Sequence, residues 1–304
     1  MDFSLIQQKK PQIALVIMTM IWGGTFVVVQ HALNYSSPMF FVGCRFAIAA
    51  FVVGLLSWKA MKGIQRHEIF AGALIGIAIS AGYGTQTIGM QTISSSESAF
   101  LTALYVPLVP ILLWLIFRKV PHIMTLMGIV FAFLGLVLLT GNNLEQIHFN
   151  SGQIITILGS IAIAIEIILI GYFAGKVNLQ RVTVIQLIFA SLVSFIAMPF
   201  AGEYHLPEFS WGLVSFAVLL GLTSALLQSL MNWAQRSVPP AQAAIIYAGE
   251  PVWAALFGRI AGERLPAIAL LGGLLVVIGV IVSEWRPKFL QRHSTTHKTN
   301  STPN

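Results

Sequence analysis

Two carboxylates lie deep in apolar sequence. Glu250 sits in Tyr247-Ala-Gly-Glu250-Pro251-Val-Trp253, and Glu166 sits in Ile161-Ala-Ile-Ala-Ile-Glu-Ile-Ile-Leu-Ile. In hydrocarbon an ionised carboxylate is costly, so such a residue faces protein or a wet cavity, or it carries a proton. The chemistry open to both is proton exchange or the binding of a cationic amino group. Glu166 has no polar partner within its own stretch, which points to function. For Glu250 a local role is equally open, because Pro251 frees a backbone carbonyl one turn earlier.

Polar and aromatic residues gather in the neighbouring stretches. Trp22-Gly-Gly-Thr25 is a packing notch or a solute contact, and Tyr83 and Gln86 sit in a stretch that also holds Thr87 and Gln91. Tyr105 comes shortly before Pro107. Gln228 and Asn232 are four apart and share a helical face. Tyr247, Glu250 and Trp253 recur at three-residue steps. Together with Glu166 these residues (Trp22, Thr25, Tyr83, Gln86 and Tyr105 among them) are the expected lining of a solute pocket. Rich in aromatics, such a pocket suits an amphipathic or aromatic solute and can hold an ammonium group over a ring. Core packing explains any one of them equally well. Arg45 must also face protein or water. About two turns from the end of its stretch, it reads as structural and able to snorkel; the other reading is a hold on an anionic group.

Other chemistry finds no support. All seven histidines fall at span ends, in loops or in the tail, and no His-Glu-x-x-His or Gly-x-Ser-x-Gly pattern occurs. Glu203, His205 and Glu208 superficially mimic a metal cluster, but their spacing fits no metal motif and they read as a solvated loop. No metal, cofactor or catalytic residue is expected, and Cys44, the single cysteine, excludes an intrachain disulfide.

The elements that must position these residues are membrane spans. Only 9% of the 304 residues are charged and 57% are hydrophobic, with mean hydropathy +0.83. A soluble domain carries about 25% charged residues, so most of this surface faces lipid. Stretches of ~20 apolar residues predict ten helices, at 13–33, 39–58, 69–91, 99–117, 123–140, 154–174, 182–200, 211–233, 241–260 and 266–284. Residues 1–12 form a lead too unlike a signal peptide to be removed, and 286–304 a polar tail without apolar periodicity. The net charge of +7 does not indicate nucleic acid, because it is spread over short loops. With the N-terminus inside, 14 Lys and Arg fall on the inner side and only Arg259 and Arg264 on the outer. The bias places both termini in the cytoplasm.

The chain also repeats itself. Pro107 pairs with Pro251, Gly128 with Gly272 and Gly135 with Gly279, each 144 residues on, and Ser80 with Ser224 keeps that register. Pro107 and Pro251 are expected to break their helices. Five spans per repeat, at 13–140 and 154–285, is an odd number, so the second repeat is inverted relative to the first. Secondary transporters use this plan, with solute bound near the midplane.

Ile21-Trp22-Gly23-Gly24-Thr25-Phe26, Arg45-Phe46, Pro107, Glu250-Pro251 and Gly262-Glu263-Arg264-Leu265, in this order and on ten spans, resemble the EamA-type drug/metabolite transporters. The resemblance covers about residues 12–285. It implies a carrier that exports amino acids or related amphipathic metabolites across the inner membrane by alternating access, with a central cavity and no enzyme activity. Multidrug efflux is the alternative; an intramembrane enzyme or a scaffold fits poorly. The expected partners are a small solute, the bilayer and protons, with Glu166 and Glu250 as coupling residues. Two departures stand out: Arg118-Lys119-Val120-Pro121 replaces a repeated Gly-Glu-Arg-Leu, and Glu166 replaces a neutral residue.

Overall fold

Backbone N–H and C=O groups find no partner in hydrocarbon, so apolar stretches of this length fold as helices that satisfy themselves. A computed structural model describes residues 3–118, 123–139, 149–264 and 266–284, and its regular elements are helical throughout. They are α1 (Phe3–Ala32), α2 (Pro38–Leu56), α3 (Arg66–Gly89), α4 (Ser95–Thr102), α5 (Tyr105–Phe117), α6 (Ile123–Leu139) and α7 (Ser151–Phe173). There follow α8 (Leu179–Ala197), a short 3-10 turn (Pro199–Ala201), α9 (Trp211–Ala234), α10 (Pro240–Tyr247), α11 (Glu250–Ile260) and α12 (Ala267–Glu284). With α4–α5 and α10–α11 each forming one broken crossing, the protein is an all-α membrane protein of ten crossings in two inverted repeats. Seven crossings, α4–α5 among them, are long and apolar enough to span a bilayer by themselves.

The structure differs from expectation in a few places. The lead at 1–12 is helical from Phe3 and continuous with the first span. The tail at 286–304, most of the loop at 141–153 that joins the repeats, and the departure at Lys119–Pro121 lie outside the described residues.

Both helix breaks come before the prolines. α4 stops at Thr102 and α5 begins at Tyr105, two residues ahead of Pro107; α10 stops at Tyr247 and α11 begins at Glu250, one ahead of Pro251. Each proline thus sits in the first turn of a new helix, where its missing N–H leaves no gap in that helix. The carbonyl it fails to meet belongs to the segment before: Ala103 for Pro107 and Tyr247 for Pro251.

Element boundaries refine the repeat. α3 and α9 are both 24 residues long, and α4 and α10 are both 8. Arg66 to Trp211, Ser95 to Pro240 and Tyr105 to Glu250 are each 145 apart. α2 and α8 are both 19 residues, with Pro38 and Leu179 141 apart. The 144-residue register holds for the starts of α6 and α12 but is one residue out for the helices around the breaks.

The repeats pack across each other, α3 against α8 and α2 against α9. The small residues of α3 allow this: a Cβ at Gly76 would overlap the Gln186 carbonyl oxygen of α8, and Ser80 meets Ser194 hydroxyl to hydroxyl at 2.8 Å. Close backbone approach of this kind is what small residues supply in membranes.

Carboxylates secure the helix starts, whose first N–H groups lack intrahelical partners. Glu203, expected in a solvated loop, instead accepts from the Met39 and Phe40 N–H groups at 2.7 and 3.0 Å. Glu68 accepts from Asn178 N–H at 3.1 Å and pairs with Arg181 at 3.1 Å. Glu97 accepts from Gln153 Nε2 at 2.6 Å, tying α4 to α7. Glu263 accepts from the Ser95 and Ser96 N–H groups at 3.0 and 3.2 Å and from both their hydroxyls. Among the described residues this last clamp has no counterpart on the opposite face. There α10 opens with Pro239-Pro240, which have no N–H to offer, and the residue 145 before Glu263 is Arg118. Glu263→Ala should lower stability in detergent by about 1–2 kcal/mol, the cost of losing a helix cap. Glu208→Ala, at an exposed carboxylate, should leave it unchanged; equal unfolding midpoints for the two variants would show the clamp to be idle.

Candidate solute site at the seam of the repeats

The break in α10–α11 brings Glu250 to the seam. α1 lies directly on it: a Cβ at Gly23 would come within 2.8 Å of the Glu250 carbonyl oxygen and 2.7 Å of the Trp253 Cβ. The glycine pair beside Trp22 is therefore a packing notch, and its effect is to place the Trp22 ring next to the break. Trp22 stacks on Tyr83 at 6.1 Å and 5°, and meets Tyr247 edge-on at 5.8 Å. Tyr105 donates its hydroxyl proton to Glu250 Oε2 at 3.2 Å. In the 145-residue register these two are mates, so their hydrogen bond joins equivalent points of the two repeats.

Glu166, on α7, accepts from Gln228 Nε2 at 2.9 Å, and Gln228 Oε1 accepts from Gln186 Nε2 at 2.9 Å. Asn232 donates to the Gln228 carbonyl at 2.9 Å, one turn along α9. Arg45 donates from Nε to Ser224 Oγ at 2.6 Å and lies over the Tyr83 ring at 5.1 Å. Ser224, which holds Arg45, lies one turn along α9 from Gln228, which holds Glu166, and Trp22, stacked on Tyr83, adjoins Gly23 at the Glu250 carbonyl. One cluster thus contains all three membrane-embedded charged side chains named from sequence.

Its burial is nearly complete: relative exposure is 0% at Glu166, 1% at Glu250 and 2% at Arg45. Each is also incompletely satisfied. Among the described residues, Glu166 Oε2, Glu250 Oε1 and Arg45 Nη2 have no hydrogen-bond partner. Buried polar atoms are nearly always paired, and an unpaired charged one is especially costly. Three such atoms at one seam make it the candidate solute site. The site is shut off from solvent in this conformation. Cavities elsewhere, such as one of about 380 Å³ beside Val52, Leu56, Thr183 and Ser229, have other linings.

Of the residues expected to line a pocket, Trp22, Tyr83, Tyr105, Glu166, Gln228, Tyr247 and Glu250 converge, and Asn232 adjoins them. Gln86 turns instead to Thr102, at 3.1 Å. Thr25 returns its hydroxyl to the Trp22 carbonyl at 2.6 Å. Trp253 is half-buried and stacks on Phe257 at 6.5 Å, on the flank of the seam. Gln186 is fully buried in the cluster, although its stretch reads as plain; a lone amide in Val182-Thr-Val-Ile-Gln-Leu-Ile was the available signal. Arg45, read as structural, belongs here as well.

Ten helical crossings in two inverted repeats, with ionisable groups buried where the repeats meet, define a membrane transporter. The chain belongs to the EamA-like transporter family, whose model matches residues 9–141 and 150–285. An uncharacterized transporter of Archaeoglobus fulgidus is 29% identical over 290 residues, 92% of this chain and 88% of its own. The inner membrane transporter YedA of Escherichia coli K12 is 27% identical, over 88% of this chain and 89% of its own. The transporter YoaV of Bacillus subtilis is 21% identical over 90% and 96%. A solved crystal structure shares the fold with a TM-score of 0.65 and 14% identity, covering 93% of this chain and 98% of its own.

The Tyr105–Glu250 contact should appear as a coupling of about 1–2 kcal/mol in a double-mutant cycle of Tyr105→Phe and Glu250→Gln, read by unfolding in detergent. Additive effects would mean that the two side chains act independently.

Proposed function

We propose that the protein is a secondary transporter that exports small amphipathic metabolites, such as amino acids or related compounds, from the cytoplasm by alternating access. The observation that carries this reading is the pair of carboxylates, Glu166 and Glu250, each wholly buried with one oxygen unpartnered. A solute ammonium group would satisfy those oxygens, and the Trp22, Tyr83 and Tyr247 rings would cover its apolar part. When no solute is bound, a proton on either carboxylate relieves the same cost, so protons are the proposed coupling ion. The positive-inside bias supports cytoplasmic termini, and the relation to the inner membrane transporter of Escherichia coli supports the same location here.

The test is accumulation of labelled amino acids in everted inner-membrane vesicles, with and without a pH gradient. The wild type should accumulate solute and respond to the gradient. Glu166→Gln and Glu250→Gln should each reduce transport by roughly tenfold, the value of one charge-assisted contact. Normal, gradient-driven transport by both variants would remove the carboxylates from the mechanism.

A further inference from the structure

Arg45 is the least explained group in the seam. The residue is 2% exposed, and its guanidinium is held by Ser224 on one nitrogen and backed by the Tyr83 and Phe46 rings at 5.1 and 5.6 Å. Among the described residues the one ion pair is Arg181 with Glu68, so no described carboxylate is paired with Arg45. Its Nη2 is buried without a partner. An intramembrane arginine normally pairs with a carboxylate or with carbonyls. Aromatic faces and a hydroxyl hold the plane of the group, yet they leave its charge and one donor for something else.

The repeat sharpens the point. Residue 45 corresponds to 186 in the 141-residue register of α2 and α8, and Tyr83 corresponds to Gln228 in the 145-residue register of α3 and α9. Thus the Arg45–Tyr83 pair of one repeat is the neutral Gln186–Gln228 pair of the other, and the neutral pair leads to Glu166. The positive group lies about 10 Å from the start of α2, and Glu166 about 10 Å from the end of α7, at 1.5 Å per residue. In the inverted arrangement those helix ends belong to opposite faces. The seam is therefore polarised along the membrane normal, with Arg45 toward one face and Glu166 toward the other.

We propose that Arg45, aligned by Ser224 and the Tyr83 ring, is a carboxylate-binding subsite, and that the solute carries a free carboxylate at the pole opposite its ammonium group. Guanidinium is suited to this, since its fork of donors matches a carboxylate. This assignment rests on the cluster being the solute site, and it fixes the direction in which the solute lies.

The test uses purified full-length protein in detergent and the standard amino acids beside their α-carboxamides, read by the ligand-dependent rise in unfolding midpoint. At least one amino acid should stabilise the wild type at a concentration roughly tenfold below that of its carboxamide, the scale of one charge-assisted hydrogen bond. Arg45→Gln should abolish the difference, and Arg45→Lys, which keeps the charge without the fork, should retain part of it. Equal response to acid and amide, no response to any amino acid, or an undiminished preference in Arg45→Gln would overturn the subsite. The wild-type comparison decides the matter even if the variants fold poorly. Failure here is separable from failure of the transport reading. A protein indifferent to the carboxylate, whose Glu166→Gln and Glu250→Gln variants lose transport, is a transporter without this subsite.

Discussion

In a bilayer every polar group must be met from within the protein. The chain has few charged side chains to place in its apolar stretches, and Arg45, Glu166 and Glu250 all go to the seam where the two repeats face each other. Much of the architecture follows from making that seam close enough. Gly76 lets α3 lie on α8, and Gly23 lets α1 lie on the first turn of α11. The breaks in α4–α5 and α10–α11 then bring Tyr105 and Glu250 to the same point. A continuous helix through residue 250 would keep its backbone groups paired and would not turn at this place.

The two repeats share a backbone plan but not a chemistry. Tyr105 faces its mate Glu250, and the Arg45–Tyr83 pair is matched by Gln186–Gln228. A homogeneous, symmetric seam would present the same groups to both faces. This one presents a cation toward one face and a carboxylate toward the other. The clamp of Glu263 on α4 adds a further difference: the face that it closes is held by four hydrogen bonds, while the equivalent start of α10 is two prolines. Alternating access requires two conformations of similar free energy, and differences of this size between the two ends bear directly on which conformation predominates.

Much of this was legible in the sequence because the bilayer simplifies the reading. Span positions follow from hydropathy, and the odd number of spans per repeat forces inversion. Glu166 and Glu250 announce themselves by being charged where charge is costly. What sequence could not supply is which way a polar side chain turns on its helix. Thr25 and Gln86 have the right type and depth, yet Thr25 is satisfied by its own backbone and Gln86 by Thr102. Trp253 follows Glu250 at a three-residue step, but that step is enough to carry it onto the flank. Gln186 and Arg45 show the converse: each has an ordinary local explanation, and only the packing of α8 and α2 against α9 brings them to Gln228 and Ser224. Glu203 looked solvated because its partners, the first N–H groups of α2, are more than 160 residues away. The register of the repeat was read from Pro107 and Pro251, which sit at different places in the first turns of α5 and α11. The helix starts around the breaks, 145 residues apart, set the mates.

The central claim is that the seam, closed in this structure, opens in turn to each face of the membrane. Ala99 and Ala244, mates 145 residues apart one turn before the two breaks and both buried in the core that holds Trp22, Tyr83 and Tyr247, are well placed to report on it. The most direct measurement is the reaction of Ala99→Cys and Ala244→Cys, each in a Cys44→Ser background, with an impermeant thiol reagent applied to one face of sealed vesicles and then to the other. Alternating access predicts that each cysteine reacts from both faces, and that solute shifts the balance between them. Reaction from a single face, or from neither, would contradict it.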